Sequence, residues 1–238
     1  MSSISIIVPC LNEEKNIIGT LNSIENATKN LKIDYEIIVI DDGSEDGTAR
    51  VVSSYINKKQ RIKLISNTSN QGIGFSFILG AKKSNKDSVI MIPGDNENDA
   101  YESLKFVQLL NHVDIIVPFV LNREIRSINR RLLSSIYRLI INISFGMNLN
   151  YSNGTVIYKT KLLKKINLIS LGFFYQAELL IRLIRSGHSY CEIPHRINQN
   201  SSERKSRATT IKSFINLTIS FCKVFIGIHL TRKIGKSN

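Results

Sequence analysis

Val89-Ile90-Met91-Ile92-Pro93-Gly94-Asp95-Asn96-Glu97-Asn98-Asp99 decides how the chain is read. Its four leading apolar residues make a short buried strand. The strand stops at Pro-Gly, and three carboxylates follow within five positions. Open α/β sheets place ligands in the crevice beyond the C-terminal ends of their strands. Carboxylates there are hard oxygen ligands, suited to Mg2+ or Mn2+, which in turn bind phosphate oxygens. Asp95 is therefore a candidate holder of a metal that carries a diphosphate. The plainer alternative is an acidic, solvated turn that starts a helix near Asp99.

Upstream, residues 4–9 are a β-branched run closed by Pro9, a first strand. Asn12 then reads as a helix N-cap, with Glu13 and Glu14 in the first turn and Ile17, Ile18, Leu21 and Ile24 at helical spacing. Residues 35–40 are a second strand, 62–65 a third, and 113–117 a fifth. Helices are expected over about 49–56, 75–83 and 101–110. Strands alternating with helices at this pace indicate βαβ units and a mostly parallel sheet flanked by helices.

Each of the first four strands runs into a polar loop: Asn12-Glu13, Asp41-Asp42, Asn70-Gln71-Gly72 and Asp95-Asn96-Glu97. In a parallel sheet all four emerge on one edge. Acids and amides there hydrogen-bond a base and ribose. Gly72 and Gly74 permit close backbone approach, and a following helix N-terminus favours anions. Singly these are ordinary turn residues; four on one edge point to a nucleotide site. A nucleotidyltransferase would want a Gly-rich, lysine-containing first loop, and residues 8–14 have neither Gly nor Lys.

Ile7-Val8-Pro9-Cys10-Leu11-Asn12-Glu13-Glu14, Asp41-Asp42-Gly43-Ser44-Glu45-Asp46-Gly47-Thr48 and Asn70-Gln71-Gly72 resemble the family 2 glycosyltransferases of GT-A fold. Within that family the chain is most similar to the dolichol- or polyprenyl-phosphate mannosyltransferase type. The resemblance implies an inverting transfer from a nucleotide-diphosphate sugar to a polyprenyl phosphate or a membrane-proximal glycan. It implies nucleotide contacts at Pro9, Leu11, Asn12, Glu13, Asp41, Asp42, Ser44, Asn70 and Gly72. It implies a metal, Mg2+ or Mn2+, on Asp95 with Glu97 beside it. The family's Asp-x-Asp motif is incomplete here, because Pro93 stands at its first position. Asn150 stands where the family has a further acid. Glu178, the sole acid between Glu124 and Glu192, matches an acid that faces the acceptor; with Asp95 and Glu97 it completes the catalytic candidates. A lone acid at a helix start is otherwise a dipole partner. The polar loop 198–207 resembles one that closes over the diphosphate, through Lys205, Ser206 and Arg207.

Charge divides the chain. Residues 1–119 carry 12 Lys/Arg and 15 Asp/Glu, a net of −3; residues 120–238 carry 20 and 4, a net of +16. The second half therefore faces a polyanion. No RNA-binding signature accompanies the charge and tryptophan is absent, so no nucleic-acid partner is expected. Residues 128–145 read as a helix with arginines among apolar positions, either a core helix with snorkelling arginines or a basic acceptor flap. Residues 210–230 have a wide apolar face, one polar stripe and a basic tail, as in a helix lying in a membrane interface. Packing on the catalytic domain is the alternative, and Lys223 near the middle opposes spanning. The expected organisation is a GT-A catalytic domain over 1–207 and an amphipathic, basic membrane-interface helix and tail over 208–238. Three separated cysteines point to a reducing compartment, and Met1-Ser2-Ser3 lacks the basic start of a secretory signal. The reading is a cytoplasmic enzyme peripheral to a membrane. The alternative is a catalytically weak nucleotide-sugar-binding protein of the same fold, favoured by Pro93 and Asn150.

Overall fold

The computed structural model describes residues 3–57, 59–197 and 211–229. The strands are β1 (Ser3–Cys10), β2 (Asp34–Asp41), β3 (Ile62–Ser66), β4 (Ser88–Met91), β5 (Ile115–Val120), β6 (Ile157–Lys159) and β7 (Tyr190–His195). They form one sheet in the order β3-β2-β1-β4-β6-β5-β7. Only β6 runs antiparallel, to β4 on one side and β5 on the other. The helices are α1 (Ile17–Asn30), α2 (Thr48–Ile56), α3 (Ile73–Lys83), α4 (Ala100–Leu104), α5 (Ile128–Phe145), α6 (Thr160–Leu163), α7 (Tyr175–Arg185) and α8 (Ile211–His229).

The central strands lack polar alternation because both their faces are covered. Ile6, Val8, Ile37 and Val39 pack with Ile17, Leu21 and Ile24 of α1 on one side. Ile7, Ile38 and Ile40 pack with Phe77 and Ala81 of α3 and with Leu179 and Leu180 of α7 on the other. Period two in the strands thus assigns each residue to one of two cores.

Three local expectations are corrected. Asn12 is not a helix N-cap: α1 begins at Ile17, behind Asn16. The expected helix over 101–110 is split into α4 and a 3-10 helix at Val107–Asn111. Buried Leu104, Val107 and Leu110 recur every three residues, a repeat that suits 3-10 winding. The helix α5 has the expected bounds but is not a core helix, since of its residues only Ile141 and Phe145 are buried.

The helix α8 packs by one face. Val224 is fully buried, and the Phe221 ring lies 5.7 Å from Phe145 and 6.1 Å from Phe174. Among the described residues no helix is long and apolar enough to cross a membrane.

Candidate active site

The loops after β1 and β2 are laced together. Asn12 adopts a left-handed conformation (φ 57°), which asparagine tolerates. Its N–H donates to Ser44 Oγ at 2.9 Å, and its Oδ1 accepts from Glu45 N at 2.8 Å. Glu13 N donates to Thr48 Oγ1 at 2.9 Å, and Ser44 N to Asp41 Oδ1 at 3.1 Å. Asn12, Glu13, Asp41 and Ser44 are thereby fixed along one edge, beside Pro9 and Leu11 in the chain.

Asp42 does something the sequence does not announce. Its Oδ1 accepts from Asn67 Nδ2 at 2.7 Å and Gln71 N at 3.0 Å, and its Oδ2 accepts from Gly72 N at 2.8 Å. Gly72 N also donates to Asn70 Oδ1 at 3.0 Å. The carboxylate is buried and fastens the loop after β3 to the end of β2. Its engaged oxygens make Asp42 a positioning residue for that loop. Burial, then Asp41, Glu13, Asp46 and Asp42, push the Cys10 thiol up at the end of β1. The edge is a concentrated negative field, ready for donor groups or a cation.

The ladder between β1 and β4 continues past Met91, with Ile92 N donating to Ile7 O at 2.9 Å and Gly94 N to Pro9 O at 3.0 Å. Pro93 falls between these two bonds, where a missing N–H costs nothing on that side. Asp95 and Glu97 follow, both half-buried. Asp95 Oδ1 accepts from Glu97 N at 3.1 Å, and Asn96 N donates to Thr20 Oγ1 at 2.9 Å. Asp99 caps α4 by accepting from Tyr101 N and Glu102 N; the plain reading of that residue holds. Among the described residues no group of three or more His, Cys, Asp or Glu side chains is arranged to hold a metal. Two neighbouring hard carboxylates still suit Mg2+ or Mn2+, because Mg2+ keeps waters and takes one or two carboxylates plus substrate phosphates. The donor set fits a metal that arrives with a diphosphate.

Glu178 is fully buried. It accepts from Ile169 N at 2.9 and 3.1 Å, from Ser170 N at 2.7 Å and from Arg182 Nε at 2.7 Å. Both oxygens are engaged by the protein, and the carboxylate anchors the backbone at Ile169 and Ser170. Asn150 also has a partner: its N–H donates to Glu192 Oε1 at 2.7 Å and its Nδ2 to Glu192 Oε2 at 2.9 Å. Lys205, Ser206 and Arg207 lie outside the described residues. Thr20 and Thr48 hold site loops through single hydroxyls, and nothing in a helical pattern marks them.

Among solved structures, the chain is similar to glucosyl-3-phosphoglycerate synthase from Mycobacterium tuberculosis in complex with UDP. The TM-score is 0.70 at 18% identity, over 95% of this chain and 79% of that one. A complex of the same enzyme with Mn2+, UDP and glucosyl-3-phosphoglycerate gives a TM-score of 0.68 at 19% identity, over 95% and 79%. At such identity the likeness shows the fold, GT-A. The dolichyl-phosphate beta-glucosyltransferase of Dictyostelium discoideum is 31% identical over 118 residues, 47% of this chain and 36% of that protein. Protein MJ0544 of Methanocaldococcus jannaschii, which is uncharacterized, is 27% identical over 199 residues, 78% of this chain and 84% of that one. The chain spans about a third of the length of the curated dolichyl-phosphate relatives it matches, 36% of the first and 32% of one from Trichomonas vaginalis. The profile of glycosyl transferase family 2 matches residues 5–170, which establishes that the chain belongs to that family.

Proposed function

We propose that the chain transfers a sugar, with inversion, from a nucleotide-diphosphate sugar to a polyprenyl phosphate at the cytoplasmic face of a membrane. A membrane-proximal glycan is the second acceptor class. The observation that carries the lipid reading is the outer face of α5. Ile128, Leu132, Leu133, Ile136, Leu139, Ile140 and Ile143 are 46% to 77% exposed, opposite the packed Ile141 and Phe145. Arg130, Arg131 and Arg138 lie on the same helix, and no acid occurs over residues 125–177. An exposed aliphatic face with basic neighbours suits an anionic lipid interface. Ile215, Ile219 and Ile226 of α8 are exposed as well, which agrees with an interfacial terminal helix.

The nucleotide lies against Pro9, Leu11, Asn12, Glu13, Asp41 and Ser44, and against Asn70 and Gly72 of the loop that Asp42 braces through Asn67, Gln71 and Gly72. Asp95, with Glu97, holds Mg2+ or Mn2+, which when bound neutralises charge on the departing diphosphate. The resemblance gives Lys205, Ser206 and Arg207 the role of cationic and hydroxyl partners for the same phosphates. An acceptor phosphate oxygen forms the new bond to the anomeric carbon. The old bond breaks, and its electron pair leaves with the nucleoside diphosphate. A phosphate acceptor is already anionic and needs no general base, which agrees with a Glu178 fully engaged by the protein.

The test is turnover of nucleotide sugars with Mg2+ or Mn2+ and a polyprenyl phosphate, unsubstituted chain beside Asp95→Ala. Metal-dependent lipid glycosylation that the substitution removes is the expected result. A second reading, nucleotide-sugar binding without turnover, is favoured by the proline at position 93. It gains if nucleotides bind and no donor is turned over.

A further inference from the structure

The nucleotide edge lies at the C-terminal ends of β1 and β4. The opposite edge, where those two strands begin, has a cleft of its own with a volume of about 450 Å3, the size of a small-molecule site. The eight residues of β1 separate it by ~25 Å from the loop that holds Asn12. Its floor is laced across three strands. Ser3 Oγ donates to Asp87 Oδ2 at 2.8 Å and accepts from Asp87 N at 3.0 Å. Ser88 Oγ donates to Ser3 O at 2.6 Å, and Thr160 N donates to Asp87 O at 2.8 Å. The starts of β1 and β4 and the residue after β6 are thereby held together.

Four lysines line the cleft. Lys86 and Lys159 are already paired, with Asp34 at 2.6 Å and Asp114 at 3.0 Å. Lys161 and Lys164 are exposed, and no ion pair engages them among the described residues. A solvated basic patch needs nothing more, but Thr160 sets this one apart. It lines the cleft and is 3% exposed, and its Oγ1 has no hydrogen-bond partner among the described residues. A buried hydroxyl left without a partner is costly, and a ligand oxygen satisfies it. Asp87, with Oδ2 committed to Ser3, keeps Oδ1 for a hydroxyl donor. Val107 and Leu110 give the cleft an apolar side.

We infer that this cleft binds a phosphorylated sugar or polyol, with Lys161 and Lys164 on the phosphate and Asp87 and Thr160 on the hydroxyls. Inorganic phosphate alone would leave most of the volume empty. A sugar without phosphate would leave both lysines unpaired. On the edge opposite the donor, the cleft is a second ligand site and not part of the transfer machinery.

Calorimetric titration of the full chain with glucose 6-phosphate, inorganic phosphate and glucose tests the site, beside Lys161→Ala/Lys164→Ala and Thr160→Val. Glucose 6-phosphate is expected to bind about tenfold more tightly than phosphate, and glucose not measurably. The lysine variant, altered only at exposed positions, should lose about tenfold or more in affinity, the scale of one charge-assisted hydrogen bond. Binding should also weaken as ionic strength rises. Thr160→Val should weaken binding while the melting temperature of the ligand-free chain stays level or rises, which a hydroxyl with a purely structural role would not give. Where that variant fails to fold, the lysine variant decides. Binding that the lysine variant leaves unchanged puts the sugar phosphate elsewhere and overturns the site. Equal affinity for phosphate and glucose 6-phosphate overturns it too, as does no binding of glucose 6-phosphate by the unsubstituted chain.

Discussion

The two halves of the molecule solve opposite problems. The half through β4 surrounds its site with carboxylates whose oxygens are fixed by backbone N–H groups, as Asp42 and Asp99 are. The half containing α5 and α8 leaves large aliphatic residues exposed and carries the net charge of +16. A fixed polar edge suits a small, polar, repeatedly exchanged ligand. An exposed aliphatic face with excess cation suits something extended, apolar and anionic. The first half acts by position, the second by area and charge, and substitutions separate them.

The largest effect is expected at the polar edge. Asp95→Ala should lower turnover about 100- to 1,000-fold, the scale for removing one electrostatic stabiliser of a developing charge. Nucleotide binding without metal should persist. Turnover that survives the substitution would remove Asp95 from the chemistry. Asp42→Ala comes next and acts on the fold. It removes the acceptor of Asn67 Nδ2 and Gln71 N and one of the two acceptors of Gly72 N, all partly buried bonds, which costs about 1–2 kcal/mol. That corresponds to a fall of roughly 2–8 °C in Tm for a chain this size. A Tm unchanged in Asp42→Ala, read by calorimetry, would contradict the brace assigned to that carboxylate.

On the other half the expectation is reversed. Leu132→Glu/Ile136→Glu/Ile143→Glu should keep its stability within about 0.5 kcal/mol, because these positions touch solvent. Its binding to vesicles containing anionic lipid should weaken by about tenfold. Binding by the unsubstituted chain should also fall as ionic strength rises. If vesicle binding is unchanged while a dimer dissociates, the face belongs between two copies of the chain and not on a lipid surface.

How much of this is legible in the sequence differs between the same two halves. The alternating strands and helices, and the four loops on one edge, follow from local patterns in residues 4–99. The helix bounds of α5 follow as well. Which face of α5 points outward does not, since aliphatic residues surround Arg130, Arg131 and Arg138 on nearly every side. Only the position of the sheet decides that Ile141 and Phe145 go in while Leu132 and Ile136 stay out. The antiparallel β6 is hidden for a similar reason, because direction within a sheet is set by the path between strands. The partners of Glu178, backbone N–H groups eight and nine residues earlier, are hidden too, because they leave no mark on the residue itself.

Asn150 is where the comparison is finest. Read against its family, it is a missing acid and an argument for lost catalysis. In the structure it donates twice to Glu192, from its backbone and from its side chain. An aspartate there would lose the side-chain donor and set two carboxylates together. Both groups are partly solvated, so the cost of Asn150→Asp is about 0.5–1 kcal/mol. Its pH dependence identifies the cause. Repulsion raises the carboxylate pKa values of the folded pair above their unfolded values. The deficit against the unsubstituted chain is then absent at acid pH and grows as pH rises through the folded pKa range. Melting temperatures of both chains from about pH 4 to pH 7 measure it. A gap independent of pH would place the cost in lost hydrogen-bond geometry instead. A gain in sugar transfer by Asn150→Asp would show that the acid is missed, and would move the weak-binding reading ahead.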